Sequence, residues 1–256
     1  MNLKNVLIVA GCILTATLSL EAQDTVNVTD AKGLKQGFWR KVNAEKQVVY
    51  EGRFLDDKPA GEFRYFYPDG KVKTVMNYTH NGDEASSVSY HPNGKKMAEG
   101  VYTLKQKNGS WRYYNDLEIL ISEESYDNGK PVGTWQNYYD DGKILEVFSW
   151  NKGLKEGPWT QYFTDGALRM TATYAEGKLE GEVKNFYPNG DLMVIGAYLH
   201  DLKEGTWISY KEGGGPEVST VYSKGIVMQQ TFFDKAREEQ LKQDDKPKEG
   251  EKVIEE

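Results

Sequence analysis

The sequence predicts an all-β protein, an elongated single-layer antiparallel sheet of about eight 24-residue β-hairpin repeats, and three observations predict it. Stepping by 24 from Gly157 lands on Gly37, Gly61, Ala85, Gly109, Gly133, Gly181 and Gly205, and a fixed period of this size marks a repeat architecture. Seventeen places after each of these positions stands an aromatic residue without exception: Phe54, Tyr78, Tyr102, Tyr126, Trp150, Tyr174, Tyr198 and Tyr222. Each unit also splits into two short runs rich in aromatic and β-branched residues, separated by Pro-Asp-Gly, Pro-Asn-Gly, Asp-Asp-Gly or Thr-Asp-Gly, the pattern of a hairpin.

Within a unit the first strand carries Trp39, Phe63, Ser87, Trp111, Trp135, Trp159, Val183 or Trp207 at position +2, and Val42, Phe66, Tyr90, Tyr114, Tyr138, Tyr162, Phe186 or Tyr210 at position +5. The turn follows, with glycine at +9 in six units and Lys46 and Glu118 in the other two. Pro68, Pro92 and Pro188 hold φ near −65°, which excludes a type I′ turn at those residues. A type I turn followed by a left-handed glycine fits, giving a three-residue loop closed by pairs such as Tyr67 with Lys71. Simple alternation from that pair places positions +5, +11 and +17 on one face, as in Tyr162, Leu168 and Tyr174, and the +2 tryptophans on the other.

The pattern resembles MORN repeats of the longer variant found in bacterial proteins, through Tyr174-x-x-Gly177-Lys178-x-x-Gly181 and Phe186-Tyr187-Pro188-Asn189-Gly190. The resemblance covers residues 37 to 233 and departs from the commonest form in its period and in Gly-x-Trp where that form often has Gly-x-Gly. It implies successive hairpins, and sixteen strands at about 4.8 Å spacing would make a body on the order of 75 Å long. Some proteins of that family are associated with membranes, and its bacterial members are often labelled antitoxin components.

Four segments follow from composition. Residues 1–22 read as a signal peptide, with Lys4 before the apolar run Val6 to Leu20; a retained anchor and lipoprotein processing at Cys12 are the rivals. Residues 23–36 are a polar lead-in, 37–233 the repeat array, and 234–256 a charged tail without aromatic residues, expected to be mostly disordered. Cys12 is the only cysteine, so a mature chain has no disulfide, consistent with export to a bacterial periplasm or cell surface. The third unit departs most from the columns, at Ala85 and Ser87, and a local irregularity is expected there; Phe232 and Phe233 are expected to close the last hairpin as an incomplete ninth strand.

No catalytic constellation is visible, and the chain reads as no enzyme and without cofactors. His80, His91 and His200 lie far apart in the array without cysteine neighbours, which argues against a metal site. Acidic turns such as Asp140-Asp141-Gly142 are what tight loops require and form no regular calcium ligand set. Arg40, Arg64, Arg112 and Lys184 share position +3, but a net charge of −7 opposes tight binding to nucleic acid or anionic lipid.

Of the 32 aromatic residues 25 fall in four columns, so the repeat itself accounts for most of them. The +2 face (Trp39, Phe63, Trp111, Trp135, Trp159, Trp207) is the candidate interaction surface, because a narrow sheet leaves a face to cover. The expected function is a non-catalytic exported scaffold that binds another protein or an envelope component. An antitoxin-like neutraliser and a cell-wall glycan binder are the alternatives.

Overall fold

The computed structural model describes residues 26–234; the expected signal peptide, Cys12 and all but the first residue of the charged tail lie outside the described residues. Among them the chain forms one antiparallel sheet of 21 strand segments, in which successive long strands pair and the two-residue segments Lys130–Pro131, Leu154–Lys155 and Lys178–Leu179 pair with the strand before them. It is a meander of hairpins, as the period predicts. The turn chemistry agrees as well: the Tyr67 amide donates to the Lys71 carbonyl (2.8 Å), the Gly70 amide donates to the Tyr67 carbonyl (2.9 Å), and Gly70 sits at φ 85°. Lys46 (φ 62°) and Glu118 (φ 67°) adopt the same left-handed conformation where glycine is missing. Successive hairpins are joined by two-residue turns with both φ positive, such as Asp56-Asp57 and Lys152-Gly153, the geometry that matches strand twist.

The assignment of faces is corrected by the structure. In all eight units the register shifts between positions +4 and +5. Gln161 pairs with Met170 but Tyr162 pairs with Leu168, leaving Arg169 as an extra residue. A one-residue bulge moves every later side chain to the opposite face. Trp159 therefore lies opposite Ala172 and beside Tyr174, with ring centroids 5.5 Å apart. Positions +2 and +17 share a face, and +5 and +11 lie on the other.

A second device sits at the unit boundary. Gly52 pairs with Phe63, whereas Arg53 pairs with Ala60, so Gly61 and Glu62 are extra; Gly61 accommodates this at φ 68°. A two-residue excess is even, so the alternation of faces survives it. Ala85 cannot take that φ cheaply, and there the pairing runs unbroken from Thr74↔Ser89 to Thr79↔Glu84. The two residues appear in the connection instead, through the 3-10 turn His80–Gly82. The irregularity expected at the third unit is thus in its loop, and its strands are the more regular ones. The closing strand is also longer than expected, Ile226–Phe232, a full seven residues paired with Pro216–Ser223.

The core is one face of the sheet. Phe63, Ala85, Ala98, Trp111, Phe148, Ala172, Val183 and Trp207 are its buried apolar residues, all on the +2/+17 side. The opposite face carries a transverse row through positions +3 and +14. It runs Arg40, Glu51, Arg64, Val75, Val88, Glu99, Arg112 and Glu123, each paired with the next.

Candidate functional site: a gap in the aromatic face

The aromatic face is built by size matching between successive units. A Cβ added to Gly52 would come within 2.4 Å of the Phe63 ring, one on Gly100 within 2.3 Å of Trp111, and one on Gly196 within 2.1 Å of Trp207. Position +15 of one unit is thus the floor on which the +2 ring of the next unit lies. At two units a larger floor residue meets a smaller ring position, Met76 with Ser87 and Ala172 with Val183, whereas Glu124 and Phe148 at the floor position precede Trp135 and Trp159, which are only half-buried. At Val183 the exchange is compensated within a packed layer, whereas at Ser87 the larger Met76 leaves part of the space open.

The rings also close polar accounts. Trp111 Nε1 donates to the Val101 carbonyl (3.2 Å), Trp135 to Ser125 (3.1 Å) and Trp207 to Ala197 (3.1 Å). Trp159 donates to the Glu146 carboxylate (2.9 Å), which also accepts from Asn137 and Gln161. Burial alone would raise the Glu146 carboxyl, but these three donors hold it below its usual range. Over the rings lies a further column, position +22, occupied by lysine in four places. Lys155 Nζ is 4.4 Å from the Phe148 centroid and 4.9 Å from Tyr174, Lys203 is 4.4 Å from Trp207, and Lys107 is 4.9 Å from Trp111. Each lysine covers apolar surface with its stem and adds cation–π attraction, about 0.5–1 kcal/mol at exposed sites.

The candidate residues named from sequence fall into two groups. Phe63, Trp111 and Trp207 are 2%, 3% and 7% exposed and pack against two aromatic rings or more each. A partner would reach them only by displacing neighbours. Trp39, Trp135 and Trp159 are half-buried.

A groove opens on this face at the third unit. The ring series Trp39, Phe54, Phe63, Tyr78 runs in centroid steps of 6.0, 5.1 and 5.2 Å, stops at Ser87, and resumes with Tyr102 and Trp111 at 4.9 Å. The lid column fails at the same unit: Ala85 lies opposite Tyr78, where Lys107 lies opposite Tyr102 and Lys155 opposite Trp150. The result is a groove of about 460 Å³, within the roughly 300–1,000 Å³ of small-molecule sites. Tyr65, Tyr78, Tyr102 and Met76 wall it, Ala85 and Ser87 floor it, and Asp83, Glu84 and Lys105 stand at its edge.

Its polar groups are ordered among themselves. The Thr74 and Ser89 hydroxyls are 3.0 Å apart, those of Tyr65 and Tyr78 are 3.4 Å apart, and Glu84 meets His80 Nδ1 at 3.0 Å. Burial pushes the Tyr78 and Tyr102 phenols up, with the Tyr65 hydroxyl adding to the effect at Tyr78, so both are neutral hydroxyl-bearing walls. Sequence reasoning marked Ala85 and Ser87 as departures but did not read them as a site. The signal was Ala85 together with Ser87, two small residues on one strand, and it is legible only once the unbroken pairing of that unit is known. Among the described residues no group of three or more His, Cys, Asp and Glu is placed to hold a metal ion.

The sequence profile described as MORN repeat variant matches residues 60–80, 131–152, 155–176 and 179–200. No curated protein matches the chain. Among solved structures, the crystal structure of TarM is 14% identical over 44% of this chain and 18% of its own, with a TM-score of 0.23. The crystal structure of TcdB2-TccC3-TEV is 11% identical over 81% of this chain and 14% of its own, with a TM-score of 0.22. A Photorhabdus luminescens Tc holotoxin pore is 11% identical over 77% of this chain and 13% of its own, with a TM-score of 0.21. The chain spans less than a fifth of each of those chains.

Proposed function

The chain is a protein of MORN repeat variants, and from that premise we propose that it is a non-catalytic scaffold, exported to the bacterial periplasm or cell surface, that binds another protein. MORN repeats are in general protein- or membrane-binding units, and a sheet of hairpins with its rings locked against glycine floors is suited to that task. The observation that carries the reading is the groove at Ser87. It is a concave, aromatic-walled opening on the ring face of the sheet. The apolar run at residues 6–20 supports export. Burial of Phe63, Trp111 and Trp207 counts against a glycan platform, which needs exposed ring faces.

The test is a crosslinking pull-down with the tagged full-length protein expressed in its own cells, read by mass spectrometry. One dominant protein, recovered from the envelope fraction, is expected. Recovery of lipid or glycan alone would overturn the protein-binding reading, and recovery of the tagged chain in the cytoplasm alone would overturn the export reading.

A further inference from the structure

We infer that the closing strand, Ile226–Phe232, is the interface of a two-fold dimer, pairing antiparallel with the same strand of a second copy of this chain. The inference concerns an edge of the sheet and does not depend on what the groove binds.

The two ends of the sheet are finished differently. Along Lys35–Val42, at the start of the array, the outward backbone groups are used within the chain. Val28 and Thr29 pair with Gln36 and Lys35, and the Asn27 amide donates to the Phe38 carbonyl (2.9 Å). The Asn27 side chain accepts from the Arg40 amide (2.8 Å) and donates to the Arg40 carbonyl (3.0 Å). Lys35, Arg40 and Lys41 add charge there. Cover and charge of this kind protect a sheet edge from further pairing. The last strand has neither. Among the described residues it pairs only with Pro216–Ser223, and Ile226 to Phe233 contains no charged residue and no proline. Ile226, Val227, Met228 and Phe233 are each more than half exposed.

Which groups this edge offers follows from the ladder. The Phe233 amide donates to the Glu217 carbonyl opposite it (3.0 Å). Bonded and non-bonded pairs alternate in an antiparallel ladder, so Thr231 and Gln229 also bond inward. Gln230 and Phe232 turn their N–H and C=O groups away from the sheet.

The residues of the strand select its partner. Val227-Met228-Gln229-Gln230-Thr231-Phe232-Phe233 reads two apolar residues, three polar, two apolar from either end, with Gln230 at its centre. A second copy laid antiparallel about Gln230 sets Gln230 against Gln230 and Gln229 against Thr231. The Phe232–Phe233 end of each copy then meets the Val227–Met228 end of the other, so apolar residues face apolar ones and no like charges meet. The outward groups of the two Gln230 residues form the bonded pair at the axis. A slip of two residues either way would set Gln230 against Phe232 or Met228.

Pairing of this kind is isologous, so it closes at two copies and leaves only the two covered edges. It also carries the ring face across the junction, because Gln230 lies on that face, bonded to Thr220 Oγ1 (3.3 Å). The two grooves at Ser87 then open on the same face of one continuous sheet.

The experiment is sedimentation velocity of the full-length protein, purified as its own cells process it, from about 1 to 100 µM. A species of twice the chain mass is expected. Gln230→Pro removes the donors at the axis but no bond to Pro216–Ser223, so it should weaken the dimer about tenfold or more with circular dichroism unchanged. Should that variant lose its circular dichroism, Gln230→Lys, which keeps the amide and sets two ammonium groups at the axis, serves instead. In a Cys12→Ser background, a nitroxide on Gln230→Cys should show dipolar broadening that disappears on dilution with unlabelled protein.

A monomer throughout the range would overturn the inference and leave the edge to another protein or to residues 235–256. A dimer undiminished in the folded Gln230 variant, or an unbroadened nitroxide, would overturn it too. Growth beyond two copies with concentration would show an open head-to-tail contact and sink it equally.

Discussion

Replacing Gly100 by alanine puts a methyl carbon where the Trp111 ring lies, 2.3 Å from Cδ2 and 2.4 Å from Cε2. The backbone itself would accept the change, because Gly100 is not at positive φ, and losing a strand glycine is worth roughly 0.5–1 kcal/mol. Against that stands the overpacking of a ring that is 3% exposed, about 1–3 kcal/mol, with strain on the Trp111 hydrogen bond to Val101 besides. The net expectation is a loss of about 1–2 kcal/mol. Trp111→Val alone should cost about 3 kcal/mol, at the low end of deleting a large buried ring.

The double variant is the informative one. It recreates the alanine–valine exchange seen at Ala172 and Val183, where the clash does not exist. It should therefore be no less stable than Trp111→Val, giving a coupling of about 1–2 kcal/mol in its favour. Equilibrium urea unfolding of the four proteins, followed by circular dichroism and by fluorescence, measures the cycle. Additivity within about 0.5 kcal/mol would refute the idea that floor and ring positions are matched in size.

Other expectations follow from the turns and the polar atoms. Lys46→Gly and Glu118→Gly should each raise stability by about 0.5–1 kcal/mol, since both residues hold a left-handed φ that six other units give to glycine; a fall in the urea midpoint would contradict this. Glu146 has its folded-state pKa lowered, so its contribution is present above the unfolded value near 4.3 and is lost as pH falls through the folded value. The melting temperature of the wild type should thus drop further between pH 5 and pH 3 than that of Glu146→Gln, and equal drops would remove Glu146 from the account. Among the described residues Trp150 Nε1 has no acceptor, whereas Trp111 Nε1 has one. Trp150→Phe should cost about 1 kcal/mol less than Trp111→Phe in the same unfolding assay, and the reverse order would show that ring packing alone sets these costs.

The sequence by itself determined the architecture, because the interactions that specify it are local. The 24-residue period, the left-handed glycines and the Pro-Asp-Gly loops decide that the chain makes hairpins and where each one turns. Resemblance to MORN repeats rested on those same local elements. Which face each column occupies was beyond its reach. That depends on parity, and one unpaired residue at position +12 exchanges the faces, with no side chain announcing it.

From the parity follows everything about the site. Once the bulge sets +2 and +17 side by side, Phe63, Trp111 and Trp207, which read as part of a surface, become self-packed rings. Ala85 and Ser87, two small residues of one strand, become the floor of a groove between Tyr78 and Tyr102. The third unit shows the same division. Ala85 told of a lost glycine, but only the pairing showed that its two extra residues had moved into the His80–Gly82 turn. Local conformational preference is written residue by residue, whereas register is a property of two strands together. Only the folded sheet decides it.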